Sequence, residues 1–220
     1  KMNRKFSKIF VSSILAGMFI GLGFYACIVI NSYKYIDISH ASEGILKFLG
    51  AFVFAVGLIM VLIAGADLFT GNCLVMFGCF KGEVKFTKVV CHLLIVILGN
   101  FLGGLILAFL IYVAKAPNDA IIAEIMNICE KKYSHNFLSS LILGFLCNIM
   151  VAIAVYMSYA AKTVSGKVII VILPIIAFIL MSFEHSVANM FILPLNAMLQ
   201  RDGILQIINN LIPVILGNFL

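Results

Sequence analysis

The heptapeptide Val96-Ile97-Leu98-Gly99-Asn100-Phe101-Leu102, VILGNFL, returns letter for letter at residues 214–220. Working outward from the two copies shows how far the duplication reaches. Asp67 precedes Asn72 by five residues, and Glu184 precedes Asn189 by five. From Asn72 to Gly99 is 27 residues, and from Asn189 to Gly217 is 28. Upstream, Ser13 and Gly17 share the spacing of Ser140 and Gly144. The chain is built from two related halves.

Composition names the solvent of those halves. Of 220 residues, 64% are hydrophobic and only 11% charged, with a mean hydropathy of +1.18. A soluble domain averages about 45–50% apolar and about 25% charged residues. A soluble fold of this length has too little interior for so much apolar surface, so an integral membrane protein is expected. Apolar runs long enough to cross about 30 Å of hydrocarbon lie near residues 9–31, 45–66, 89–114, 137–161 and 167–183. A sixth run begins near Asn210 and the sequence stops at Leu220, so a truncated sixth span is expected. The stretch from Ile9 to Ile30 exceeds a signal-peptide core of about 7–15 residues and reads as a retained first span.

Two runs have unusual sequels. After the second comes GADLFTGNCLVMFGCF, with Asp67 and a Gly71-Asn72 turn signal; after the fifth comes FEHSVANMFILP, with Glu184 and His185. Both read as half a span, an irregular turn near Phe69–Gly71 or Phe183–Val187, and a second short apolar segment. Each half is then three spans with the middle one broken, repeat 1 at about 9–114 and repeat 2 at about 137–220 of a single transmembrane domain, 1–220. An odd number of spans makes the copies face opposite ways across the bilayer. The expected fold is therefore an all-α inverted repeat with broken second and fifth helices. Such breaks in matching positions point to a substrate path near the midplane, because irregular backbone at that depth must line a cavity or be buried in protein.

A cytoplasmic N-terminus puts Lys1, Arg4, Lys5, Lys8, Lys81, Lys85, Lys88, Lys162 and Lys167 inside. Lys34, Lys47, Lys115, Lys131, Lys132 and Arg201 fall outside. The excess follows the positive-inside rule and accounts for the net charge of +6 without a nucleic-acid partner. The six cysteines form no C-x-x-C pair and mostly sit in apolar runs as small hydrophobes. No metal site, disulfide framework or cofactor is expected from them.

At this point a family resemblance enters. LIAGADLFTG (62–71) resembles the first signature of the formate/nitrite transporter family. GFLCNIMVAIA (144–154) resembles the second, with Ala152 and Ile153 where the family usually has Cys and then Leu or Val. FEHSVANMFILP resembles the family's second broken-helix segment, and the matches run in order over residues 12–220. The resemblance implies an aquaporin-like fold, a homopentamer with one pore per protomer, and passage of small monovalent anions of weak acids: formate, nitrite, hydrosulfide and, in some members, lactate. The overall look leans toward the hydrosulfide branch. It implies a central His185 and a facing Thr70, with Asn148 and Lys132 (sixteen residues earlier) as further pore residues. Apolar constrictions on either side of the histidine are implied at Phe54, Leu58, Leu68 and Phe178. The family completes GNxxGG and a full sixth span, where this sequence stops.

Beside the resemblance, the residues carry their own chemistry. An ionisable pair inside a span is costly and marks function by default, and an imidazole can offer a hydrogen bond or a proton near neutral pH. On the residues alone Thr70 caps or breaks a helix beside Gly71 and Lys132 is a solvated loop charge; the resemblance implies that Thr70 supplies a hydroxyl from the opposite half and that Lys132 draws anions to the mouth. Bare carboxylates do not suit an anion path, so Asp67 and Glu184 read as structural, accepting hydrogen bonds from loop N–H groups or orienting nearby partners. Asn72 and Asn189 would satisfy freed backbone groups in the same breaks. The alternative is an aquaporin-like channel for neutral solutes, although the Asn-Pro-Ala boxes are absent. An intramembrane enzyme lacks any nucleophile–base or metal-ligand set, since Glu184-His185 has no second histidine of H-E-x-x-H. Partners are thus the small anion, membrane lipid and copies of the chain.

Overall fold

The computed structural model describes residues 4–36, 43–200 and 203–220. Lys1 and Arg201, counted above in the charge pattern, lie outside the described residues. The helices are α1 (Phe6–Ser32), α2 (Glu43–Ala64), α3 (Phe69–Asn72), α4 (Met76–Phe80), α5 (Phe86–Val113), α6 (Asp119–Ser134), α7 (Phe137–Ser158), α8 (Val164–Leu180), α9 (Ser186–Gln200) and α10 (Ile204–Phe219). A 3-10 turn, Cys73–Val75, joins α3 to α4 into one short apolar segment. Four of the expected spans are long, apolar helices: α1, α2, α5 and α7. The fifth is α8, of 17 residues. The sixth, α10, begins at Ile204, earlier than the apolar run alone suggested, because its first turns mix Gln206, Asn209 and Asn210 into the pattern.

Both broken helices are present, but each break lies a few residues upstream of the expected place. The second span stops at Ala64 and resumes at Phe69; the fifth stops at Leu180 and resumes at Ser186. The reason is the same in both halves. Gly65 (φ 66°) and Ser182 (φ 57°) take the left-handed conformation that ends a helix. The next amide then reaches back five residues, Ala66 N to Val61 O at 2.9 Å and Phe183 N to Phe178 O at 3.2 Å. Glycine adopts this φ freely. Serine does so at a cost, and here the Lys47 ammonium donates to Leu180 O (2.8 Å) and Ser182 Oγ (3.0 Å), holding the turn.

Helix α6 was not anticipated. Its sequence mixes Glu124, Asn127, Glu130, Lys131 and Lys132 with apolar residues, so it has no span-length run. Asn118 starts it by accepting from Ile121 N at 3.0 Å. It leans on α1 and α9 and puts Lys132 in its last turn rather than in a loop.

The halves pack alike. Helix α1 lies against α5 and α2, and α7 lies against α10 and α8. Across the halves, α2 meets α8 and α5 meets α9. Close approach depends on missing side chains: a Cβ on Gly17 would overlap the Asn100 carbonyl, and one on Gly217 the Leu141 carbonyl. Small residues at helix crossings are the usual device in lipid, where burial of apolar area gives no drive to associate.

Candidate functional site

Where a helix stops in hydrocarbon, freed amides need partners. Asn100 and Asn218 supply them. Phe69 N donates to Asn100 Oδ1 (2.9 Å), and the Asn100 amide donates to Ser13 O (2.7 Å) and Asp67 O (3.0 Å). In the other half Ser186 N donates to Asn218 Oδ1 (2.8 Å), and the Asn218 amide donates to Gly144 O (2.7 Å) and Glu184 O (3.0 Å). Each asparagine staples a half-helix start to the break before it and to a neighbouring span. Both sit in the VILGNFL repeat, and that identity is the one signal by which the sequence offers residues it did not otherwise single out.

This corrects the expected role of Asn72 and Asn189. Their side-chain amides bind the acids: Asn72 Nδ2 donates to Asp67 Oδ1 (3.2 Å), and Asn189 Nδ2 to Glu184 Oε2 (2.6 Å). The acids in turn hold cations. Asp67 is paired with Arg4. Glu184 is gripped by Lys132 through both oxygens, at 2.9 and 3.0 Å. Lys132 is therefore half of an ion pair with Glu184 rather than a bare positive charge.

The two breaks bring Thr70 and His185 together. Both are buried, with Thr70 Oγ1 3.2 Å from His185 Nε2. On the far side of the ring, Ala188 N donates to His185 Nδ1 at 3.1 Å, so the imidazole caps the start of α9. A nitrogen that accepts an N–H carries no proton of its own. The neutral ring therefore bears its proton on Nε2, facing the Thr70 oxygen, and protonating Nδ1 would require giving up the cap. His185 in this setting is a hydrogen-bond donor first and a proton donor only at the expense of its own anchoring. Ser186 Oγ, fully buried beside it, has no partner among the described residues, a polar atom that the sequence did not single out.

A row of aromatic rings walls the site on the His185 side. Phe178 stacks on His185 with ring centroids 6.0 Å apart, and Phe54 meets Phe178 edge-on at 5.7 Å. Phe24, missed in the sequence, continues the row edge-on to Phe54 at 5.6 Å. Beyond Phe24 opens a vestibule of about 620 Å3, whose walls include Lys34, Lys47, Lys131, Lys132, Glu124 and Glu184. On the other side, Leu68 and Asn72 line a cavity of about 130 Å3. Neither cavity is lined by Thr70 or His185. Leu58 is fully buried with Phe54, Leu68 and Phe178. Asn148 is brought to the Asn218 carbonyl, to which its side-chain amide donates.

The comparisons with known proteins bear on this arrangement. A family model described as formate/nitrite transporter matches residues 1–220. The chain belongs to the formate/nitrite transporter family. It is 36% identical over 241 aligned residues to the formate channel FocA of Haemophilus influenzae, covering 99% of this chain and 84% of that protein. A solved structure described as a pentameric formate channel with formate bound superposes with a TM-score of 0.86 at 32% identity, covering 97% of this chain and 91% of the other. A second, described as an ion channel of the same family, gives 0.86 at 26% identity, with 97% and 84% covered. As a member of the family the chain is a multi-pass membrane transport protein and not an enzyme.

Proposed function

We propose that this formate/nitrite transporter homologue is a homopentameric channel for small monovalent weak-acid anions, formate first among them, with one path through each protomer. Hydrosulfide and nitrite are the competing substrates, of which hydrosulfide was favoured by the sequence. The halves form an inverted repeat, and the N-terminus lies on the cytoplasmic side of the cell (inner) membrane, in keeping with the positive-inside rule. The relatives named above support formate and the pentamer. The observation that carries the mechanism is the doubly held imidazole, with Nδ1 engaged by Ala188 and Nε2 by Thr70.

In this reading the anion enters the outer vestibule, where Lys131 and Lys34 stand with the Lys132–Glu184 pair. It passes the Phe24–Phe54–Phe178 row and replaces Thr70 Oγ1 as acceptor of the His185 Nε2–H. The Thr70 hydroxyl, released, turns to donate to the same anion. Two neutral donors then stand in for lost water, which a desolvated charge needs. Leu68 and Leu58 form the second constriction before the cavity at Asn72. Dry apolar constrictions exclude hydrated ions.

The test is anion flux into proteoliposomes, with formate, nitrite and hydrosulfide compared in wild type, His185→Asn and His185→Leu. The asparagine keeps a donor and should retain part of the flux with altered selectivity; the leucine should abolish flux while pentamers still assemble. Wild-type flux and selectivity in assembled His185→Leu would overturn the central role of the histidine.

A further inference from the structure

His92 is a second buried histidine that the pathway above does not use. It lies in α5, 4% exposed, with Nε2 3.3 Å from Asn72 Nδ2. That same amide nitrogen donates to Asp67 Oδ1, and Asp67 is paired with Arg4. An amide nitrogen only donates, so Nε2 accepts and is unprotonated in this arrangement.

The other half performs a natural control. There the corresponding amide, Asn189 Nδ2, donates to Glu184 and, at 2.8 Å, to Asn210 Oδ1. Asn210 stands eight residues before Asn218, as His92 stands eight before Asn100. One half thus holds its acid through an amide backed by a side chain that cannot titrate. The other half uses an imidazole in the same place. Fold and packing are served by either residue; only the imidazole changes its bonding with pH.

We propose that His92 is a positioning residue that makes the Arg4-side mouth respond to proton concentration. Neutral, it accepts from Asn72 and keeps the amide turned to Asp67. When a proton from water binds Nε2, the imidazolium N–H and the amide NH2 face each other donor to donor. The Asn72 amide must then turn over, offering Oδ1 to the ring and withdrawing its donor from Asp67. The segment Gly65–Thr70 loses one of the ties that place Leu68 and Thr70, and flux falls on acidification. The elements packed against α5 are α1, α3, α4 and α9. Their titratable or charged groups toward this end are Arg4, Lys5 and Lys8 at the start of α1 and Cys79 on α4; α3 and α9 carry none. Asp67, Cys73, Lys81 and Glu83 stand in the connecting segments, and α5 itself adds Lys88 and Cys91, with Lys85 just before it.

The inference rests on the anion-channel reading for its flux arm only. The chain has no tryptophan, and Leu62 lines the same cavity as Asn72. Leu62→Trp therefore gives a unique reporter that needs no transport, and Tyr159→Trp, in the same cavity, is the second reporter if the first does not assemble. Tryptophan emission should titrate between about pH 8 and about pH 5, the window of imidazole, and the added His92→Asn should remove that transition. In proteoliposomes with equal pH on both sides, the ratio of His92→Asn to wild-type flux should rise over the same window by about threefold, the weight of one hydrogen bond inside a membrane protein. Asn210→His should give a ratio that falls instead. An unchanged emission titration in His92→Asn, or a flat flux ratio, overturns the role of His92. A wild type that carries no weak-acid anion overturns the channel reading and leaves the emission result to decide His92.

Discussion

Removing a staple is the sharpest test of how the breaks are held. In Asn218→Ala, three buried bonds disappear together: the one received from Ser186 N and the two given to Gly144 O and Glu184 O. Hydrogen bonds between membrane helices average about 0.6 kcal/mol and reach about 1.7 kcal/mol, so the three are worth about 2–5 kcal/mol. Their loss falls at the start of α9, beside the imidazole that caps it, so function should fail before the fold does. We expect a lower melting temperature for the detergent-solubilised protein and a flux reduced by more than about tenfold, since each 1.4 kcal/mol of misplacement is about tenfold. Asn100→Ala should match it in stability and act on Thr70 through Phe69 and Asp67. Asn218→Asp should be worse than Asn218→Ala, because a carboxylate would face two carbonyl oxygens. A variant pair that melts with wild type and carries wild-type flux would refute the staple argument.

Two further outcomes follow from the Lys132–Glu184 pair and the aromatic row. Lys132→Met or Glu184→Gln alone removes one member of a buried ion pair and should destabilise by about 3–5 kcal/mol, whereas the double variant should recover much of the melting temperature; equal loss in all three would contradict the pairing. Phe178→Ala should destabilise by about 3–5 kcal/mol through the cavity it leaves and should let acetate through beside formate, checked by the ratio of their fluxes; an unchanged ratio would remove Phe178 from the constriction.

The sequence carried the repeat, the broken spans and the acid–asparagine pairs because these are one-dimensional facts. Spacing and hydropathy survive without coordinates, and an exact heptapeptide needs no alignment. It also pointed to Thr70 and His185, through the family resemblance and through the rarity of ionisable residues in apolar runs. What it misassigned were bonding partners. Spacing alone suggests Asn72 and Asn189 as backbone ligands, whereas Asn100 and Asn218, far along the chain, bind the freed backbone and the nearer pair binds the acids. Helix α6 escaped because an amphipathic segment has no span-length apolar run.

By itself, then, the sequence determined the solvent, the apolar runs, the repeated heptapeptide and, to within a few residues, where two helices had to give way. These depend on composition and on local backbone rules. Only the tertiary structure decided which polar groups answer each other: Lys132 with Glu184, Arg4 with Asp67, Asn218 with Ser186, and the imidazole of His185 between Ala188 and Thr70. In a dry interior every freed donor and acceptor must find a partner, and several candidates of the right chemistry are available to each. The choice among them is made by distance in three dimensions, which close glycine-mediated packing sets and spacing along the chain does not record.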